Sequence, residues 1–321
     1  MAITDRPRAE VRRRQRPPER WYRRTWVHAL VGLAVAALTV TFAGQRATDG
    51  ARATLDDRLI HAGAGADAGL VAIESEQLSA VRAVAFTVGL PEALAARNGP
   101  QLNRYTTPLQ ANSTVPMVDV MDTTGRVLLA VRAKGAPEPV ATHHGLRLLG
   151  QALHFANGPR GGRFTQLVIF RSGPTLATVS PIMIGNTPVG AVLAMTPLAD
   201  ALGRLSQEVS ADLTAYDPNG RPIATTATFN PKPLDRDTAR ALIAGAALTT
   251  RYVYADHREK VGRLIVEHTA DAVLGVSLED DSNVTGRAVS IYVAIGLLAS
   301  VMLMATFWAR YQRERREREA E

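Results

Sequence analysis

The stretch VDVMDTTGRVLLA at residues 118–130 decides how this chain is read, because it returns as LTAYDPNGRPIAT at residues 213–225. Laid on each other without a gap, at a constant offset of 95 residues, they put Asp122 on Asp217, Gly125 on Gly220 and Arg126 on Arg221. In each copy a β-rich run meets an Asp-x-x-Gly turn and then a second run, the pattern of a hairpin. The aspartate accepts backbone amides, Pro218 presets φ in the second copy, and the glycine takes the positive φ. One such hairpin means little; two at fixed spacing predict two modules of one design.

Working outward, each hairpin is followed by a helix and three more strands. In the first module the expected strands are 115–121, 126–132, 164–171, 176–184 and 189–196, with a helix over 146–156. In the second they are 212–216, 222–226, 249–254, 263–268 and 272–278, with a helix from 237 to Gly245. Before the modules, Leu70, Ile73, Gln77, Val81, Val84 and Val88 fall three or four apart and so share one helical face. This predicts a long stalk helix over 45–97, weakened in its middle by Gly63, Gly65 and Gly69. Its upper face should pack on the first module, while Leu55 and Leu59 should meet a second subunit.

Two apolar runs, 25–43 and 288–309, are each long enough for the roughly 30 Å of a bilayer core. Arginines are retained on the cytoplasmic side of short flanks. The tail 1–24 carries nine against three acids, and the segment 310–321 carries five against four glutamates. Both ends are therefore expected in the cytoplasm and residues 45–287 outside it, in a two-pass protein of the plasma (inner) membrane. Small residues in TFAG at 41–44 would suit a cleaved signal, but the long run and extended basic tail favour an anchor. The two tails account for the whole formal charge of +7, so the segment between them is neutral. The high pI is thus no mark of nucleic-acid binding.

The chain has no cysteine, which excludes disulfides, thiolate metal sites and cysteine nucleophiles. Its histidines form no His-Glu-x-x-His helix and adjoin no Gly-x-Ser-x-Gly elbow, and no glycine-rich phosphate loop follows a strand. An enzyme is not expected, and no cofactor or metal is implied.

With its stalk, its paired hairpins and the run FTQLVIFRSGPTLATVSPIMIGNTPVGAVLAM at 164–195, the segment 45–287 resembles the double Cache family of extracytoplasmic sensor regions. These belong to bacterial chemoreceptors, histidine kinases and nucleotide cyclases. The resemblance implies an α+β fold of two tandem PAS-like antiparallel-sheet modules: a membrane-distal one at 98–200 that usually holds a small ligand, and a membrane-proximal one at 201–287. The Arg-x-Trp-Tyr signature by which many members grip an amino acid is missing. The expected function is a homodimeric transmembrane sensor signalling to a cytoplasmic effector, which either follows in a longer chain or is a separate partner subunit. The alternative is an accessory membrane subunit whose modules bind another envelope protein.

Ligand groups in a half-covered sheet come from the middle strands and the covering segment. This nominates Arg171 as anion partner, Thr178 and Ser180 as hydrogen-bond donors, Phe155 as apolar wall, and His143 or His144 as lid. The second module offers Tyr252, Tyr254 and His268 in its matching strands, and is expected to transmit more than it binds.

Overall fold

The computed structural model describes residues 20–158, 161–254, 257–266 and 269–318. The basic tail before Arg20 and the candidate His268 lie outside the described residues. Residues 53–280 form one compact unit, and the helical segments before and after it cluster separately.

Helix α1 (Arg20–Ala85) is followed by the short helices α2 (Leu90–Ala95) and α3 (Gly99–Ala111). The first module then runs β1 (Met117–Asp122), β2 (Val127–Arg132), α4 (Arg147–His154), β3 (Phe164–Phe170), β4 (Gly173–Ile184) and β5 (Thr187–Pro197). After the linking helix α5 (Leu198–Val209), the order recurs as β6 (Asp212–Tyr216), β7 (Pro222–Thr225), α6 (Arg236–Ile243), β8 (Thr249–Tyr254), β9 (His257–Val266) and β10 (Thr269–Glu279). Helix α7 (Ser282–Arg318) closes the sequence of elements. Both sheets are antiparallel and five-stranded, ordered β2-β1-β5-β4-β3 and β7-β6-β10-β9-β8. The repeat in the sequence is therefore a repeat of topology.

Each sheet buries both faces, with strand alternation dividing the residues between them. On β1, Val118 and Val120 join Val81, Val84 and Leu90 of the helices, while Met117 and Met121 face α4 through Leu148, Leu149 and Ala152. In the second sheet, Leu213 and Ala215 meet α1 and α5, and Tyr216 meets Leu242 of α6. The lower part of α1 is thus core: Leu55 and Leu59 are 5% and 1% exposed among Leu205, Leu274 and Val276. This corrects the expectation that they contact a second subunit.

Nor do the glycines break α1. A Cβ on Gly65 would lie 2.9 Å from Val209 Cγ1, and one on Gly69 would overlap Leu205. Their missing side chains let α5 close on α1, and that contact offsets their low helix propensity. The helix ends earlier than expected. Past Ala85 the chain turns at Gly89, at φ +85°, and Val88 is 92% exposed rather than on the buried face.

Gln77 stays on that face as its one buried amide. Its Nε2 donates to Leu176 O at 3.1 Å and to Thr196 Oγ1 at 2.8 Å, and its Oε1 accepts from Thr178 Oγ1 at 2.7 Å. α1 is thereby pinned to the central strand β5 and its neighbour β4. Among the described residues one helical segment, Ser282–Met302, is long and apolar enough to cross a membrane.

Candidate ligand-binding site

The repeated turns behave as their residues dictate. Asp122 Oδ1 accepts from the amides of Thr124 (2.9 Å) and Arg126 (3.1 Å), and Asp217 Oδ1 from those of Asn219 and Arg221, both at 2.8 Å. Burial would raise the Asp122 carboxyl, but these bonds, the Thr124 hydroxyl and the Arg97 guanidinium together hold it below the usual carboxylate range. Each glycine has a second task. Gly125 O accepts from His143 N at 2.7 Å, and Gly220 O accepts from Leu234 N at 2.8 Å. In both modules the turn is the dock for the segment that leads into the helix over the sheet.

In the first module that segment roofs a cavity of about 860 Å³. Its floor comes from Met117, Thr175 and Met195 of the central strands, one wall from Val168–Ser172 at the end of β3, and its roof from residues 137–146, with Arg132 at the end of β2. The roof is tied to the floor by charge. Asp119 of β1 is fully buried and meets His143 Nε2 at 2.8 Å through Oδ2 and Arg132 Nη1 through Oδ1. Arg132 Nη1 also donates to Val131 O and Val118 O, whereas its Nε is buried without a hydrogen-bond partner among the described residues. The His143 ring lies edge-on to Phe170, centroids 5.6 Å apart.

Of the residues nominated from the sequence, Arg171, His143 and His144 line this cavity. Thr178, Ser180 and Phe155 do not. Thr178 and Ser180 sit on the opposite face of β4, where Thr178 bonds Gln77 and Thr165. The strand was right and the parity wrong: the face toward the cavity and α4 belongs to Thr175, Ala177 and Val179. Phe155 follows α4 and is half exposed, against His154 and Phe164. Asp119, Arg132 and Thr175 were missed. The signal for Asp119 was available, since a carboxylate at the inward parity of an otherwise apolar strand demands a cation or donor.

In the second module the corresponding strands carry side chains that bond to one another. Phe229 stacks on Tyr254 at 5.0 Å and lies 4.6 Å from His257. Deeper, the fully buried Glu259 accepts from Tyr216 Oη (2.7 Å) and Arg251 Nε (2.8 Å), and Arg251 also donates to Pro233 O and Lys232 O. Burial raises the Glu259 carboxyl despite Tyr216 and Arg251, and burial followed by the Glu259 charge raises the Tyr216 phenol. Gly275 leaves room for the carboxylate, because a Cβ there would overlap it.

No protein-family model and no curated protein matches the chain. Solved structures do. The chain is similar to the extracellular domain of vpHK1S-Z8, assigned as a histidine kinase, with TM-score 0.51 and 12% identity over 76% of this chain and 96% of that one. Weaker likenesses join it to the sensor domain of the V. cholerae histidine kinase DctB (TM-score 0.47, 11% identity, 71% and 96% covered). Another is the ligand-binding domain of the Campylobacter jejuni chemoreceptor Tlp3, in complex with L-valine (TM-score 0.45, 12% identity, 75% and 98% covered). The fold, two tandem modules behind a long helix, is that of the extracellular domain of vpHK1S-Z8.

Proposed function

We propose that this chain is a two-span bacterial membrane sensor. Residues 45–287 lie outside the cytoplasm, a small ligand occupies the cavity of the first module, and occupancy is passed through α7 to a cytoplasmic effector. The observation that carries the reading is the contrast between the modules. One has a cavity of about 860 Å³ under a roof tied to its floor by a buried carboxylate, while in the other the corresponding strands carry the interacting Glu259–Arg251–Tyr216 cluster. A ligand biases a receptor only through its difference in affinity between two arrangements. The route for such a bias exists here: Thr175 on β4 lines the cavity, and the adjacent Leu176 carbonyl on the same strand is held by Gln77 of α1. The arginine asymmetry supports both termini inside; the first module is the membrane-distal one, and the sensor acts as a homodimer.

The test is a thermal-stability screen of the full chain in lipid nanodiscs against a broad metabolite set. Saturable stabilisation by a compound, lost in Arg171→Gln, supports the sensor. No stabilisation across the set, with another envelope protein co-purifying, would replace it with an accessory membrane subunit.

A further inference from the structure

The side chains around the cavity also specify what it holds, provided the cavity is the ligand site just proposed. A ligand bearing an ammonium group needs an acceptor at depth, in practice a carboxylate. The buried carboxylate behind the lining, Asp119, does not open onto the cavity, and both of its oxygens are engaged: Oδ2 by His143 and Oδ1 by Arg132. The acid that does line it, Glu138, is exposed to solvent on the roof. Donors remain. Arg132 Nε is buried with no partner among the described residues, and the exposed Arg171 lies on the same lining with His144. Between them the surface is apolar, from Met117, Val140, Leu146, Val168 and Met195.

We infer that the cavity takes a small organic carboxylate with an apolar body and no ammonium group. Its planar pair of oxygens suits a guanidinium edge, and the lining offers two guanidinium side chains, the exposed Arg171 and Arg132. Arg132 is then a specificity-determining residue: it neutralises Asp119, which withdraws that acid from any cationic ligand, and it adds positive charge to the lining beside Arg171. The Met117, Val168 and Met195 side chains hold the hydrocarbon part.

Matched probes test this. Isovalerate, valine and isobutylamine share one branched skeleton and differ only in the charged groups; 3-phenylpropanoate and phenylalanine repeat the comparison at larger size. Binding is measured on the full chain in nanodiscs by calorimetry and thermal shift. The expected result is saturable binding of at least one carboxylate, with the amino acid of the same skeleton weaker by about tenfold or more and the amine inert. Arg132→Gln and, at the exposed side, Arg171→Gln should each weaken the carboxylate by about tenfold or more, while Arg104→Gln, away from the cavity, changes nothing. Because Arg132→Gln unbalances a buried carboxylate, Arg171→Gln keeps the test alive should that variant fail to fold. An amino acid that binds as tightly as its carboxylate, above all one weakened by Glu138→Gln, overturns the ligand class and leaves the cavity as the site. Silence from every probe also overturns the class, and the sensor reading then stands or falls on the metabolite screen.

Discussion

Replacing Gly220 by alanine tests why the hairpin is written twice. Gly220 has φ +79°, a region in which an L side chain costs about 1 kcal/mol. The larger effect is at its dock. The new Cβ would overlap Leu234 O and lie 2.8 Å from Leu234 C, so the segment must move off and the 2.8 Å bond from Leu234 N to Gly220 O is lost. One buried backbone hydrogen bond contributes about 1 kcal/mol, and partial withdrawal of Leu234 from its cluster with Leu242 and Val261 costs about 1 more. The sum is about 3 kcal/mol. Gly125→Ala is the internal comparison. It has the same strained φ, +84°, but its Cβ would sit 3.1 Å from His143 C, which a small shift relieves, so about 1 to 1.5 kcal/mol is expected. Pulse proteolysis of the full chain across a urea series reads both. At about 1 to 1.5 kcal/mol per molar urea, Gly220→Ala should lower the midpoint of second-module cleavage by about 2 M or more, and Gly125→Ala that of the first module by about 1 M. Equal, small shifts would refute the docking role and leave the glycines as ordinary turn residues.

Gln77→Leu should destabilise the chain by about 2 kcal/mol in the same assay, because it removes the hydrogen bonds that Gln77 makes to Leu176 O, Thr196 Oγ1 and Thr178 Oγ1 in a buried interface; an effect below about 0.5 kcal/mol would contradict the pinning of α1. The acid response should show two signs. Asp122, held below its ordinary 3.8, adds stability above that pH that is lost as the pH falls through its depressed value. Glu259, raised above its ordinary 4.5, adds stability that is complete in acid and lost as the pH rises through its elevated value. The stability difference between wild type and Glu259→Gln should therefore shrink from acid toward neutral pH, and a difference that grows would contradict the assignment. Asp119→Asn should loosen the roof over the first module, seen as faster hydrogen exchange at residues 137–146 with no change at 227–234.

Much of this fold was legible because local signals agreed with tertiary packing. Strands 212–216 and 249–254 appear at the expected residues, since turn chemistry bounds them on both sides. Where signals conflicted, packing won. Gly63, Gly65 and Gly69 argue against a continuous α1 until α5 is seen resting on the last two. Pro91 and Pro100 each stand in the first turn of α2 or α3, where a missing amide costs nothing. Strand β9 was expected to begin at 263 and begins at His257, because the charged run HREK conceals the inward parity of Glu259 and Val261. Of the residues nominated from the sequence, those on the roof and at strand ends (His143, His144 and Arg171) line the cavity, whereas Thr178 and Ser180 face away from it through a one-residue parity that no local feature sets. Arg132 could not be found at all, since its role depends on a carboxylate thirteen positions earlier that only the pairing of β1 with β2 brings beside it.

The most direct measurement is hydrogen exchange of the full chain in nanodiscs, with and without a saturating concentration of the tightest compound from the metabolite and carboxylate series. Ligand in the first module predicts protection concentrated at 137–147 and 168–175, with weaker protection of α1 around Gln77 and none at 227–234. Protection at 227–234 instead, or none at either roof while the compound still binds, would contradict the account.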